Sequence, residues 1–291
     1  EDTDSDGLSD ADEFNIHHTN PKVADTDQDG LSDGDEVALH NTNPAKADTD
    51  NDGLTDAGEV HVIGTNPSLQ DTDGDGIIDG DEDSDSDGLS DAVELNLYHT
   101  NPKVADTDQD SLSDGDEINI HKTDPLAVDT DEDGLSDPDE LHVTGTNPSV
   151  QDSNNDGIMD SDEDSDSDGL SDGDELNIHD TNPNVADIDE DGLSDGDEIN
   201  IHKTDPSKSD TDQDGLSDGA EVTVLDTNPL VRDTDGDGTI DSDEDADSDS
   251  LSNADELYIH RTNPMVADTD QDGLSDGDEI TVRRTNPLAL D

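Results

Sequence analysis

The apolar residues of this chain are few and regularly placed. A single Leu or Ile sits inside an acidic stretch, as Leu31 does in DTDQDGLSDGDE at 25–36, and two more apolar residues follow, as Ile118 and Ile120 do, or Val222 and Val224. These positions are the only candidates for a core. Asp33 and Glu36, three residues apart, read as a helix start, with the Asp capping and the Glu in the first turn. The alternation in EVTV and EITV fits a short strand equally well. The reading favours one to two helical turns after each acidic stretch.

That acidic stretch is a repeat. Loops matching D-x-D-x-D-G-L-S-D-x-x-E begin at Asp2, Asp25, Asp48, Asp71, Asp83, Asp106, Asp129, Asp152, Asp164, Asp187, Asp210, Asp233, Asp245 and Asp268. Their spacing runs 23, 23, 23 and 12 residues and then recurs, an 81-residue super-repeat. The chain is therefore read as one continuous array over 1–291, in super-repeats 2–82, 83–163, 164–244 and a partial 245–291, cut from a longer chain. Each 12-residue step joins two loops with no spacer, as Glu82 to Asp83. The eleven longer units carry an 11-residue spacer built on T-N-P or T-D-P, a rigid bend made by Pro and the Asn or Asp before it.

Within a loop numbered 1 to 12, Asp falls at 1, 3, 5 and 9, Gly at 6 and Glu at 12, the ligand spacing of an EF-hand calcium loop. Alternate carboxylates repel until a cation lies between them. Side chains at 1, 3 and 5 converge on it, Gly at 6 permits the turn, residue 7 offers its carbonyl, Asp at 9 ligates directly or through water, and Glu closes the site with two oxygens. An all-oxygen set favours calcium over magnesium, which retains waters, and over transition metals, which recruit imidazole or thiolate.

In the order 1, 3, 5, 7, 9, 12, the candidate ligands of the first super-repeat are Asp2, Asp4, Asp6, Leu8, Asp10, Glu13; Asp25, Asp27, Asp29, Leu31, Asp33, Glu36; Asp48, Asp50, Asp52, Leu54, Asp56, Glu59; and Asp71, Asp73, Asp75, Ile77, Asp79, Glu82. The second offers Asp83, Asp85, Asp87, Leu89, Asp91, Glu94; Asp106, Asp108, Asp110, Leu112, Asp114, Glu117; Asp129, Asp131, Asp133, Leu135, Asp137, Glu140; and Asp152, Asn154, Asp156, Ile158, Asp160, Glu163. The third offers Asp164, Asp166, Asp168, Leu170, Asp172, Glu175; Asp187, Asp189, Asp191, Leu193, Asp195, Glu198; Asp210, Asp212, Asp214, Leu216, Asp218, Glu221; and Asp233, Asp235, Asp237, Thr239, Asp241, Glu244. The last two loops offer Asp245, Asp247, Asp249, Leu251, Glu256, and Asp268, Asp270, Asp272, Leu274, Asp276, Glu279. Departures are few: Ser111 and Ser250 replace Gly at 6, Asn154 replaces Asp at 3, Asn253 replaces Asp at 9, and Thr239 stands at 7. Those loops, the one at 245 above all, are expected to bind more weakly. About one calcium per loop, some fourteen in all, is the expected load, with further ions shared at the Glu–Asp junctions of the 12-residue steps.

Composition sharpens the picture. Hydrophobic residues make up 25% of 291, the formal charge is −77, and the aromatic residues are Phe14, Tyr98 and Tyr258. Such a chain cannot offset its conformational entropy by burial alone, so it is either disordered or neutralised by cations. The charge excludes nucleic acid and anionic lipid as partners. With no cysteine there is no disulfide or thiolate site. No apolar run spans a bilayer and residues 1–30 hold no signal-peptide pattern, so any export signal or anchor is expected outside this segment.

Units such as DTDQDGLSDGDE followed by T-N-P resemble bacterial thrombospondin type 3 repeats across essentially the whole chain. The resemblance implies a calcium-filled, loop-rich array with little regular secondary structure, used as a spacer or stalk in secreted or cell-surface bacterial proteins. It departs from the animal branch in having no disulfides. Dockerin loops are similar too, but those modules are single duplicated pairs.

The expected fold is thus a calcium-stabilised tandem-repeat rod or solenoid with short helical turns, little sheet and no single large core. The expected function is an extracellular structural repeat forming a fibre, stalk or adhesin spacer, partnered by calcium, by neighbouring repeats and by other copies of the chain. A disordered calcium sponge or mineral template would need no spacer register, and a dockerin-like module would need one pair of loops unlike the rest. Catalysis needs a singular pocket that a uniform array does not supply, so no enzyme is expected. Histidines at position 16, such as His17, His40 and His121, suit a helix end better than a second metal.

Overall fold

The computed structural model describes residues 1–290. The loop backbone follows from short-range hydrogen bonds that the alternate Asp residues dictate. In the loop at 25, Asp25 accepts the N–H groups of Gln28 and Gly30 at 2.6 and 3.1 Å, Asp27 accepts that of Asp29 at 3.3 Å, and Asp29 accepts that of Leu31 at 2.8 Å. These are side-chain turns of the kind Asp forms two to five residues ahead of itself. They force positive φ at positions 4 and 6, with Gln28 at 62° and Gly30 at 109°. A φ near 100° is glycine territory, which explains Gly at 6.

A second set of bonds closes each loop. The Asp33 amide donates to the carbonyl of Ala24 at 2.9 Å, and its carboxylate takes both the N–H and the hydroxyl of Thr26 at 2.7 Å. The chain then enters a short helix, Asp33–Asp35 continued by Glu36–His40. The cap lies one residue earlier than the sequence reading placed it. Ser32, not Asp33, accepts the Asp35 N–H, because the Asp33 carboxylate is turned back to Thr26. The last turn widens, with the Asn41 N–H reaching the Glu36 carbonyl at 2.6 Å, and Asn41 ends it at φ 63°. Each of the eleven spacer-bearing units repeats this helix. The loops at 71, 152 and 233 have only the turns Asp79–Asp81, Asp160–Asp162 and Asp241–Asp243. No strand occurs among the described residues, so the helical reading of the EVTV and EITV segments stands.

The helix also corrects the expected core. Positions 13 and 15 lie about 200° apart on a helix and cannot share a face. Leu at 7 is buried, with Leu54 at 0% and Leu216 at 1% exposed, while Leu39, Ile120 and Ile201 at position 15 are 71%, 65% and 65% exposed. Position 13 lies between these limits in most units, as Val37 and Ile118 do, while Phe14 is 71% exposed. The histidines at position 16 end their helices, as His17 and His40 show.

Backbone contacts divide the chain into two units. One comprises Glu1–Glu132 with Ser136–Leu141 and Asn147–Val150, the other Asp133–Leu135 with His142–Thr146 and Gln151–Asp291. In the first, successive loops are tied by the position-5 carboxylate, as Asp6 accepts the Gly34 N–H at 3.0 Å and Asp87 that of Gly115 at 2.7 Å. In the second, Asp168 takes the Gly196 N–H at 2.6 Å and Asp191 that of Gly219 at 2.7 Å. Gly34 is required by this approach, since a Cβ there would lie 2.0 Å from the carbonyl oxygen of Asp6.

Candidate metal centres

The helix places Glu36 over its own loop. Its side chain is fully buried, one oxygen, Oε1, accepts the Thr42 hydroxyl at 3.1 Å, and the other, Oε2, has no hydrogen-bond partner. Thr42 opens the T-N-P of the spacer, so the bend read from sequence also carries the group that aims the glutamate. The same hydroxyl-to-carboxylate pair recurs as Thr65–Glu59, Thr100–Glu94, Thr123–Glu117, Thr181–Glu175, Thr227–Glu221 and Thr262–Glu256. Oε2 is likewise buried and unpartnered in Glu13, Glu59, Glu94, Glu117, Glu175, Glu198, Glu221 and Glu256.

The acidic residues at 1, 3 and 5 come together, as one carboxylate oxygen from each of Asp25, Asp27 and Asp29 lies within 4.8 Å of the others, and so for Asp2, Asp4 and Asp6 and for Asp48, Asp50 and Asp52. Asp27 keeps one buried oxygen without a partner, as do Asp108, Asp166, Asp189, Asp212 and Asp247 at the same position. At position 7 the side chains of Leu31 and Leu89 turn inward, and their N–H groups are held by the Asp at 5.

Position 9 is placed differently from the single-loop ligand set. Asp33 gathers with Asp6 and Glu13 of the preceding loop, and Asp79 with Asp52 and Glu59, each trio again within 4.8 Å. Asn253 fills the position-9 place in the loop at 245, accepting the Ala246 N–H at 3.1 Å and donating its amide to the Asp241 carbonyl at 2.8 Å. In the loops at 71, 152 and 233 the candidates are more open. Asp73, Asp75, Asp235 and Asp237 are exposed, and Glu82, Glu163 and Glu244 are half-buried.

The electrostatics match this burial. Desolvation, then the charge of Asp27, pushes Glu36 up to about 8, and desolvation, then the charge of Asp29, pushes Asp27 up to about 6. Glu59, Glu94, Glu117, Glu175, Glu198 and Glu221 are each pushed up to about 8, first by desolvation. Burying a carboxylate oxygen without a donor or cation is costly. The residues therefore fit a hard, oxygen-seeking cation, supplied with carboxylates only and shielded from water.

Sequence reasoning missed three residues of this apparatus: the hydroxyl at position 2, the Ser or Thr cap at 8, and the spacer Thr. The signal was present at 8, where the eleven spacer-bearing units have Ser or Thr and the three without a spacer have Ile78, Met159 and Ile240.

A family model for the bacterial TSP3 repeat matches residues 2–24, 25–47, 48–69, 83–105, 106–127, 129–150, 164–186, 187–209, 210–231 and 268–289. No curated protein matches the chain. Among solved structures, a "Biofilm associated protein - B domain" is 35% identical over 16% of this chain and 12% of its own, with a TM-score of 0.16. A "Biofilm associated protein - BSP domain" is 45% identical over 15% of this chain and 8% of its own, with a TM-score of 0.15. The matched region thus spans a small part of those proteins.

Proposed function

The chain belongs to the bacterial TSP3 repeat family, and from that premise we propose that it is a calcium-binding structural array of an extracellular or cell-surface protein, a stalk, fibre or adhesin spacer whose repeats are held in a rod by the ion. Membership in a calcium-binding structural repeat family fits an extracellular repeat protein. The observation that carries the reading is the set of buried, unpartnered glutamate oxygens, one after another along the chain, most of them on a carboxylate whose other oxygen is held by a spacer threonine. A polyanion that only stored ions would have no use for these clamps.

Calcium would supply the positive charge that lets these carboxylates stay ionised and close together. Asp25, Asp27, Asp29 and Glu36 would hold it in one loop, with corresponding residues in the others. Asp6, Glu13 and Asp33 would hold a cation shared by successive loops. The contacts between loops 23 residues apart are thus proposed as places for extra ions in addition to the Glu–Asp junctions. The chain itself supplies shape: turns fix the carboxylates at 1, 3 and 5, the helix and the spacer Thr fix Glu, and position 9 ties one loop to the last. Extracellular modules of this type bind at about 10⁻⁴–10⁻³ M, so the array would order on export from a cytosol poor in free calcium.

Small-angle X-ray scattering of the chain in excess EDTA and in millimolar calcium tests the reading. The expected result is a swollen coil that becomes a narrow rod of fixed cross-section. A coil in both conditions overturns it.

A further inference from the structure

The loops at 71–82, 152–163 and 233–244 lack together the features that hold the closing glutamate in most of the other eleven. Glu36 stands on helical backbone, φ −56° and ψ −51°, whereas Glu82, Glu163 and Glu244 stand on extended backbone with ψ of 157°, 157° and 158°. The next residue is already the first Asp of another loop, so there is no spacer and no threonine to grip the carboxylate. Ile78, Met159 and Ile240 precede the helical turn and give it no side-chain cap. The position-7 side chain does not anchor the loop either: Ile77 is 48% and Ile158 47% exposed, against 0% for Leu54 and 1% for Leu216.

Each difference acts in the same direction. A glutamate without a threonine clamp loses more side-chain freedom when it ligates, while one already clamped has lost it in folding; of the three, Glu163 is held in part, by the side-chain amide of Asn154. Carboxylates open to water also interact with a cation through a higher dielectric than buried ones do.

We infer that these three loops are a separate, weaker class of calcium site that fills last and empties first, giving the chain a calcium-sensitive joint once in every 81 residues between loops that stay loaded. This rests on the calcium reading above and adds to it an order of loading. The joint is coupled to the adjoining loop on its C-terminal side, because the Glu82 carbonyl accepts the Asp91 N–H that closes that loop at 2.7 Å, as Glu163 does for Asp172 and Glu244 for Asn253. Falling calcium would thus loosen the start of the loops at 83, 164 and 245 while the clamped loops at 25, 106 and 210 remain closed.

Hydrogen exchange of the full chain, followed peptide by peptide through a calcium titration, tests the order. Segments 25–36, 106–117 and 210–221 should gain protection first, and 71–82, 152–163 and 233–244 at roughly tenfold higher calcium, the difference that one pre-positioned side chain makes. The triple variant Glu82→Gln, Glu163→Gln, Glu244→Gln should weaken the late step and leave the early one in place. A common midpoint for all loops, or a late step unmoved by the triple variant, overturns the inference and leaves the calcium reading intact. Calcium-independent protection in every loop overturns both.

Discussion

Asp29 links two loops by itself: its Oδ1 accepts the N–H of Leu31 at 2.8 Å inside its own loop, and its Oδ2 accepts the N–H of Ala57, 28 residues on, at 3.0 Å. One carboxylate thus sets a local turn and the register of the next repeat. Asp6, Asp87, Asp168, Asp191, Asp214 and Asp249 do the same, whereas Asp52 and Asp110 leave Oδ2 without a partner, so most contacts between neighbours follow from the loop sequence and need no separate interface. Stability in such an array comes from each repeat and its contact with the next.

Asp29→Ala should therefore destabilise two repeats. It removes two hydrogen bonds from buried or half-buried amides, each worth about 1–3 kcal/mol when a charged acceptor is lost. Hydrogen exchange in saturating calcium should show lost protection in 25–36 and also in 48–59. Loss confined to 25–36 would refute the linkage.

Thr100→Val keeps the shape of the side chain and deletes the hydroxyl that Glu94 accepts at 3.2 Å. The expected cost is about 1 kcal/mol, read as a fall in the calcium affinity of the loop at 83 of roughly fivefold. Thr100→Ser should restore most of it. Equal affinities for the Val variant and the parent would show that the clamp does not position Glu94.

Ser111 and Ser250 hold φ of 89° and 84° where the other loops have glycine near 100°. A side chain there is strained, so Ser111→Gly should raise stability by about 0.4–1 kcal/mol despite the larger entropy of glycine in the unfolded chain. Thermal unfolding in fixed calcium measures it, and a lowered midpoint would count against strain at this turn.

Much of this was legible because it is local. The spacing of Asp25, Asp27, Asp29 and Glu36 sets the turns and the ligand candidates within twelve residues, and Leu31 at position 7 marks the buried side. Position 9 was not legible as to partner: a carboxylate that clasps Thr26 and faces the preceding loop has the same letter as one that ligates in its own loop. Ile120 falls outside the core because two apolar residues in alternation suggest one face for a strand and opposite faces for a helix, and the deciding cap is Ser113. The tie from Asp29 to Ala57 has no local signature at all, since it depends on how the spacer returns the chain.

Acid should compact the metal-free chain. Glu36, Glu59, Glu94, Glu117, Glu175, Glu198 and Glu221 are raised from 4.5 to about 8, Glu256 to about 7 and Glu13 to about 6, all first by desolvation. A carboxyl whose folded value lies above its unfolded one binds protons more tightly when folded, so its contribution is full below about 4.5 and is lost as pH rises through the folded value. With EDTA present, the radius of gyration should therefore be smallest near pH 5 and grow between about pH 6 and 8. In calcium the sign reverses, because protons compete for the oxygens the ion needs, and midpoint calcium should rise as pH falls from 8 to 6. Scattering across both series checks the pair, and a metal-free chain equally compact at pH 5 and pH 9 would remove the buried glutamates as the source of its instability.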